Sequence, residues 1–263
     1  MATITLRTLQ EHKAAGRKFS MLTAYDATFA RLASAAGIPA LLVGDSLGNV
    51  VQGQASTVPV QLQHMVYHTE CVARGNQGSL IVADVPFMAT ATLERTLDAA
   101  TALMQAGANM VKLEGGAWLA DAVAILQRNG IPTCVHLGLT PQSVNALGGY
   151  RVQGRDEADA EQLLQAARTL DAAGAALMVL ECVPRQLGAT TAAAVQAPVI
   201  GIGAGPDCDG QVLVLHDMLG LNPNPARFVR DFMAGAGGDI SAALRAFDSA
   251  VRSGDYPAPE HCF

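Results

Sequence analysis

A unit that recurs five times along the chain restricts its fold more than any other feature. In each copy a helix-like stretch ends in Gly, and an apolar run follows that ends in a polar residue. Gly just past a helix supplies the left-handed cap, and the apolar run is typical of a buried parallel strand. The lag from glycine to polar residue is six to eight positions in every copy. The copies run from Gly37 to Asp45, Gly78 to Asp84, Gly107 to Glu114, Gly130 to His136 and Gly174 to Glu181.

Segments with helical periodicity separate these strands. Alternating strands and helices with short connections indicate parallel βαβ units. Two more strands are predicted at 20–25 and 198–205, and an eighth is predicted at 212–217, VLVLHD. Eight such units in about 250 residues favour a closed (β/α)8 TIM barrel over an open, doubly wound sheet. The helix-period segments are 61–74, 93–106, 117–129 and 157–173.

The two ends of the chain predict helices in addition to those of the barrel. Residues 3–15 have the pattern of an extra N-terminal helix, and residues 224–252 that of C-terminal helices. No change in composition marks a second domain. We therefore expect a single barrel domain over residues 1–263.

The composition argues against several classes of partner and compartment. The 263 residues carry a net charge of −6 and no run of Lys and Arg, so neither nucleic acid nor a membrane is an expected partner. Only 15% of the residues are charged, against roughly 25% in an ordinary globular chain, which indicates surface hidden in subunit contacts or Ala-rich helices. Five scattered cysteines without C-x-x-C fit reduced thiols. Since neither a secretory signal nor a transmembrane run is visible, we expect a cytoplasmic protein.

The run MVKLEGG at 110–116 indicates where the polar residues point. Side chains alternate across a strand, so Lys112 and Glu114 share one face and Val111 and Leu113 share the other. Ionised side chains are almost never fully buried without partners. If the apolar face packs under the helices, the charged face points into the barrel mouth, where barrel active sites are built. Four other residues end their strands in the same way: Asp45, Asp84, His136 and Glu181.

Three carboxylates, those of Asp45, Asp84 and Glu114, come from consecutive strand ends. They would repel one another strongly unless a positive charge lay between them. Oxygen-only ligands suit a hard cation, most simply Mg²⁺. Each acid alone could instead cap a helix or form an ion pair in a βα loop, but the same placement in five units argues against this interpretation for the set.

The other polar residues suit an anionic substrate beside this cation. Lys112 adds a fixed positive charge, and His136 offers a hydrogen bond or a proton. Ser46, in GDS at 44–46, could hold a carboxylate through its hydroxyl or its backbone N–H. Glu181 has apolar sequence neighbours, and burial would make its carboxylate a better base.

Longer motifs surround these strand ends. They are TAYD at 23–26, LLVGDSLGNVVQG at 41–53, ADVPFM at 83–88, AGANMVKLEGG at 106–116, HLGLTPQSVNALGGYRVQGR at 136–155, LECVP at 180–184, IGIGAG at 200–205, DGQVLVLHDMLG at 209–220 and the tail YPAPEHCF. Together they resemble the ketopantoate hydroxymethyltransferase family over nearly the whole chain. The resemblance implies a Mg²⁺-dependent transfer of a hydroxymethyl group from 5,10-methylenetetrahydrofolate to 3-methyl-2-oxobutanoate, which gives 2-dehydropantoate for pantothenate biosynthesis. It also implies a cytoplasmic homodecamer.

The resemblance further implies a role for each motif residue. The implied metal ligands are Asp45, Asp84 and, directly or through water, Glu114. The residues implied to bind the keto acid are Asp45, Ser46, Asp84, Lys112 and His136. Glu181 in LECVP is the implied proton acceptor. Two positions depart from the family pattern: Val135 replaces a frequent Gly, and Gln54 replaces a frequent His.

Two alternatives to this reaction differ in class. One is another Mg²⁺-dependent barrel enzyme for 2-oxo acids, such as a carbon–carbon lyase of the isocitrate lyase and phosphoenolpyruvate mutase group. The sequence lacks the K-K-C-G-H motif typical of such lyases. The other is a non-catalytic barrel that binds a metabolite or serves as an assembly subunit, and the intact set of acids and Lys112 argues against it.

Overall fold

Eight parallel strands form one closed barrel in the computed structural model, which describes residues 3–263. Each strand pairs with the next along the chain, and the last pairs with the first, with Phe19 opposite Gly210. The predicted (β/α)8 architecture is confirmed. The strands are β1 (Phe19–Thr23), β2 (Ala40–Val43), β3 (Leu80–Asp84), β4 (Met110–Glu114), β5 (Thr133–Gly138), β6 (Leu177–Glu181), β7 (Val199–Ile202) and β8 (Gly210–Leu213).

Helices surround the barrel and connect most strands. The α-helices are α1 (Leu6–Ala14), α2 (Ala27–Ala36), α3 (Leu47–Val50), α4 (Leu62–Gly75), α5 (Leu93–Gln105), α6 (Ala120–Arg128), α7 (Val144–Leu147), α8 (Glu157–Ala172), α9 (Arg185–Ala194), α10 (Leu215–Met218) and α11 (Ile240–Ser253). Short 3₁₀ turns cover Ala117–Leu119, Pro141–Ser143 and Pro259–His261. Between β7 and β8 the chain makes a loop at 203–209 that contains no helix.

Local sequence signals explain the helix boundaries. Asp26 caps α2 because its carboxylate accepts hydrogen bonds from the backbone N–H groups of Thr28 and Phe29. Gly37 ends the same helix with φ of 95°, the left-handed conformation that the recurring unit predicted. The extra N-terminal helix is confirmed as α1, which Thr5 caps.

Two predicted boundaries are wrong. The eighth strand spans Gly210–Leu213 rather than 212–217, because the Leu215 N–H donates to the Thr23 hydroxyl (2.8 Å) and starts α10. The tail 224–252 has helix only from Ile240 onward. The segment before α11 contains Pro225 and Gly235, residues that disfavour a continuous helix.

The core follows the predicted alternation. Val111 and Leu113 are fully buried, while Lys112 and Glu114 on the other face of β4 line the barrel cavity. All five cysteines are free thiols. Within residues 3–263, no helix is both long and apolar enough to cross a membrane. The barrel therefore brings the ends of β2 to β6 around one cavity.

Candidate active site

A cavity of about 620 Å³ opens at the C-terminal ends of the strands. Its inner wall contains all the residues that the sequence predicted for the site: Asp45, Ser46, Asp84, Lys112, Glu114, His136 and Glu181. Its outer wall adds groups that the prediction missed, among them Tyr150, Arg151, Arg227 and Phe263. Three of these lie within motifs quoted above. The motifs therefore included cavity residues that strand periodicity could not identify.

Lys112 is surrounded by acids on the cavity floor. Its Nζ lies 2.8 Å from Oδ1 of Asp84 and 3.5 Å from Oε1 of Glu114, and all three side chains are 3% exposed. Burial alone would lower the pKa of Lys112, but the charges of Asp84, Glu114 and Asp45 outweigh burial and raise it. The ammonium group is therefore a permanent positive charge beside the carboxylates.

His136 links two carboxylates. Its Nδ1 lies 3.0 Å from Oε1 of Glu114, and its Nε2 lies 3.2 Å from Oε2 of Glu181. Burial and Lys112 lower the pKa of His136, yet Glu114 and Glu181 outweigh them and raise it to about 9. Burial likewise opposes ionisation of Glu114, but His136 and Lys112 lower the pKa of Glu114 to about 2. His136 is thus a cation near neutral pH, with N–H donors on both ring nitrogens.

Asp45 and Asp84 are the two acids of the site whose pKa is raised. Burial raises the pKa of Asp45 well above its usual range, and the charges of Glu114 and Asp84 raise it further. Burial also raises the pKa of Asp84, although Lys112 opposes this. Such buried acids are stabilised by an added positive charge.

The arrangement fits a divalent cation. One oxygen from each of Asp45, Asp84 and Glu114 lies within 4.8 Å of the others, and all three side chains are buried. Oδ1 of Asp84 meets Lys112 as an ion pair, but it accepts no hydrogen bond with proper geometry from the described residues. Three buried carboxylates that converge in this way are the donor set that Mg²⁺ prefers.

Ser46 and Glu181 complete the inner wall. The Ser46 hydroxyl lies 2.9 Å from that of Tyr25, which is buried under it. The apolar residues before Glu181 predicted that its side chain is buried. The side chain is instead 14% exposed. The next residue, Cys182, has φ of 47°, a conformation that is uncommon outside glycine. This turn directs the chain away from β6 just after Glu181.

Gln142 belongs to the site and was missed by the sequence prediction. Its side-chain Nε2 donates to Oδ2 of Asp45 (2.8 Å), and its backbone N–H donates to Oε2 of Glu114 (3.1 Å). It sits in the 3₁₀ turn Pro141–Ser143 rather than at a strand end. The motif that contains it was visible, but a loop has no periodicity that tells which residue turns inward.

Comparison with known proteins identifies the family of this chain. The model of the ketopantoate hydroxymethyltransferase family matches residues 3–259. The chain belongs to this family. Ketopantoate hydroxymethyltransferases are enzymes, so the non-catalytic barrel is excluded as an alternative, and this chain is a hydroxymethyltransferase.

Curated relatives of the ketopantoate hydroxymethyltransferase family align with the whole chain. A 3-methyl-2-oxobutanoate hydroxymethyltransferase of Alcanivorax borkumensis is 70% identical over 262 residues, which cover 99% of this chain and 100% of that protein. One of Stutzerimonas stutzeri is 57% identical and covers 100% of this chain and 99% of its own length. The resemblance to this family is confirmed.

Solved structures share the barrel with more distant sequences. A putative phosphonomutase from Burkholderia cenocepacia has a TM-score of 0.62 at 18% identity and covers 81% of this chain and 94% of its own. A 2,3-dimethylmalate lyase, a member of the PEP mutase/isocitrate lyase superfamily, has a TM-score of 0.60 at 17% identity, with 81% of each chain covered. These similarities show the barrel fold alone.

Proposed function

We propose that this chain catalyses the Mg²⁺-dependent transfer of a hydroxymethyl group from 5,10-methylenetetrahydrofolate to 3-methyl-2-oxobutanoate, with formation of 2-dehydropantoate for pantothenate biosynthesis. Membership of the ketopantoate hydroxymethyltransferase family supports the reaction class. The observation that carries the finer assignment is the single cavity wall on which three carboxylates, a buried lysine and the His136–Glu181 pair converge.

Asp45, Asp84 and Glu114 would hold the metal, Glu114 directly or through a water. When bound, Mg²⁺ supplies a Lewis acid that stabilises negative charge on the keto oxygen of the substrate. Lys112 and Ser46 lie beside these ligands, where an ammonium group and a hydroxyl suit the substrate carboxylate.

Glu181 is the proposed base. It lies on the cavity wall, ends β6 and has a side chain 14% exposed, so it can meet the substrate. Its carboxylate can accept the C3 proton of the keto acid. His136 lies between Glu114 and Glu181, with its Nδ1 3.0 Å and its Nε2 3.2 Å from their carboxylate oxygens.

Water first releases the one-carbon unit from tetrahydrofolate at the oxidation level of formaldehyde. The carbon left by proton removal then attacks the carbonyl carbon of this unit, whose oxygen takes up a proton and becomes the hydroxyl of the product. A small keto acid fills only part of a cavity of about 620 Å³. We propose that the folate occupies the remainder, toward the outer wall that contains Tyr150 and Arg227.

We also propose that the chain acts in the cytoplasm as one barrel domain, assembled into a homo-oligomer of ten subunits. Two observations support assembly. Only 15% of the residues are charged, and large apolar side chains such as Tyr67 and Trp118 are each 63% exposed.

The test is formation of 2-dehydropantoate by the purified chain when keto acid, methylenetetrahydrofolate and Mg²⁺ are supplied together. Omission of the folate should prevent product formation, and chelation should abolish it until Mg²⁺ is returned. Asp84→Asn should weaken both Mg²⁺ and keto-acid binding, while Asp98→Asn at an exposed position should leave both unchanged. Full turnover in a rigorously metal-free sample would overturn the metal assignment.

A further inference from the structure

Gln142 lies just after β5 and forms hydrogen bonds with residues at or just after the ends of β2, β3 and β4. Its turn follows β5, yet its Nε2 donates to Asp45 beyond β2 (2.8 Å) and to the carbonyl of Val85 beyond β3 (3.0 Å). Its backbone N–H donates to Glu114 at the end of β4 (3.1 Å). The side chain is 7% exposed. One residue therefore binds two of the three carboxylates of the candidate metal site.

The chemistry of these contacts requires a group with two hydrogen-bond donors. A carboxylate oxygen and a carbonyl oxygen are both acceptors, so the group between them must provide two N–H donors. The Gln142 NH₂ provides both and carries no charge, so it leaves the positive charge of the site to Lys112 and the cation. A hydrogen bond to one oxygen of Asp45 restricts rotation of that carboxylate and fixes the position of its other oxygen.

The turn that carries Gln142 is itself anchored. Pro141 restricts the backbone at the start of the 3₁₀ turn, and the Ser143 N–H donates to the carbonyl of Thr140 (2.8 Å). Just upstream, the Leu139 N–H donates to the carbonyl of Glu181 (2.9 Å). The amide is thus held by the barrel and not by a free loop.

We propose that Gln142 is a positioning residue for the hydroxymethyl transfer, which holds Asp45 and Glu114 in the arrangement that receives the divalent cation. The inference rests on the proposed function, since it takes these carboxylates as the metal ligands. In this role Gln142 is a hydrogen-bonding partner of the carboxylates that bind the metal. Removal of such partners typically lowers metal affinity about 10- to 100-fold.

The experiment is a calorimetric titration of chelator-treated protein with Mg²⁺ alone. Gln142→Met keeps the length of the side chain and removes both donors. Its matched control is Gln211→Met, since Gln211 in β8 is 2% exposed and its Nε2 donates to the carbonyl of Gly205 (3.0 Å), with no carboxylate involved. We expect both variants to lose thermal stability, but only Gln142→Met to lose Mg²⁺ affinity, by about 10- to 100-fold. Gln142→Asn, which withdraws the amide by one methylene, should lose affinity in the same direction and serves if the Met variant does not fold.

Each outcome decides the inference. Wild-type Mg²⁺ affinity in a folded Gln142 variant would overturn it, and so would an equal loss of affinity in Gln211→Met. A wild-type protein that turns over the keto acid but binds Mg²⁺ no better than the Asp84→Asn variant would overturn the proposed metal site first, and the inference with it.

Discussion

Lys112 and Asp84 form an ion pair at the base of the cavity, with Nζ 2.8 Å from Oδ1 and both side chains 3% exposed. A buried pair of this kind is costly to break from one side, because the remaining charge has neither water nor partner. The same lysine lies 3.5 Å from Glu114, so its charge compensates two acids of the candidate metal site.

Lys112→Met should therefore destabilise the metal-free protein by about 3–5 kcal/mol, the usual cost of one-sided removal. Added Mg²⁺ should recover more stability in this variant than in the wild type, since a cation replaces the missing charge. Keto-acid binding should weaken by about 1.5–3 kcal/mol, as for a lost hydrogen bond to a charged group. Denaturant unfolding with and without Mg²⁺ measures the first effect, and calorimetry the second.

The matched control for Lys112 is Lys18→Met. Lys18 also donates to two oxygens, the carbonyls of Pro206 and Cys208, in partly buried hydrogen bonds away from the cavity. Added Mg²⁺ should stabilise the Lys18→Met variant no more than it stabilises the wild type. Equal recovery by Mg²⁺ in the two lysine variants would show that Lys112 does not share the metal site.

Gly44 leaves room for the hydroxyl of Ser46. A Cβ at Gly44 would lie 2.7 Å from Oγ of Ser46 and 3.7 Å from Oδ2 of Asp84. Gly44→Ala should force the hydroxyl away from Tyr25, which it now meets at 2.9 Å, and raise the keto-acid KM about tenfold, the size of one hydrogen bond to a charged group. The melting temperature should change little. Gly235→Ala, where a Cβ would meet nothing within 4 Å, is the control. A wild-type KM in Gly44→Ala would exclude Ser46 from substrate binding.

The contact between His136 and Glu114 sets a pH dependence for the metal-free protein. The pKa of His136 rises from 6.5 to about 9 on folding, so the folded state binds an extra proton between these values. The stability that this proton contributes is complete below pH 6.5 and is lost as the pH rises through 9.

We therefore expect the free energy of unfolding to fall across this range, with a slope of at most about 1.4 kcal/mol per pH unit from this group. Denaturant unfolding of chelator-treated protein at several pH values measures it. His136→Gln should lack this part of the slope. If the variant and the wild type have the same slope, His136 is not the group that titrates.

Much of the barrel could be predicted because its signals are local. Each unit from Gly37 to Asp45 or from Gly174 to Glu181 contains its own helix cap, buried strand and terminal polar residue. The C-terminal ends of parallel strands must meet at one end of a barrel, so the polar residues could be placed together without coordinates. Val135, which precedes His136 on β5, is fully buried.

Other features depend on contacts that strand patterns do not encode. Gln142 reaches Asp45 across 97 positions from a turn without periodicity. The exposure of Glu181 depends on the cavity around it and not on the apolar run LMVL that precedes it. The eighth strand ends at Leu213 because Thr23, far away in the chain, accepts the next hydrogen bond.

Glu181 bears the largest share of the proposed chemistry, and proton removal can be separated from the folate step. The wild type with Mg²⁺ and keto acid, but without methylenetetrahydrofolate, should exchange the C3 hydrogen of the keto acid with D₂O. Glu181→Gln keeps the size of the side chain and its hydrogen-bonding capacity, but cannot accept the proton. Glu94→Gln, at an exposed position in the first turn of α5, is the matched control.

NMR measurement of this exchange, together with calorimetric binding of Mg²⁺ and keto acid, therefore decides whether Glu181 is the base. We expect Glu181→Gln to fold, to bind both ligands as the wild type does, and to exchange at least about 100-fold more slowly, since a positioned base contributes about 10²- to 10⁴-fold. The Glu94 variant should exchange at the wild-type rate. Exchange by Glu181→Gln at near the wild-type rate would contradict the proposal and place the base elsewhere.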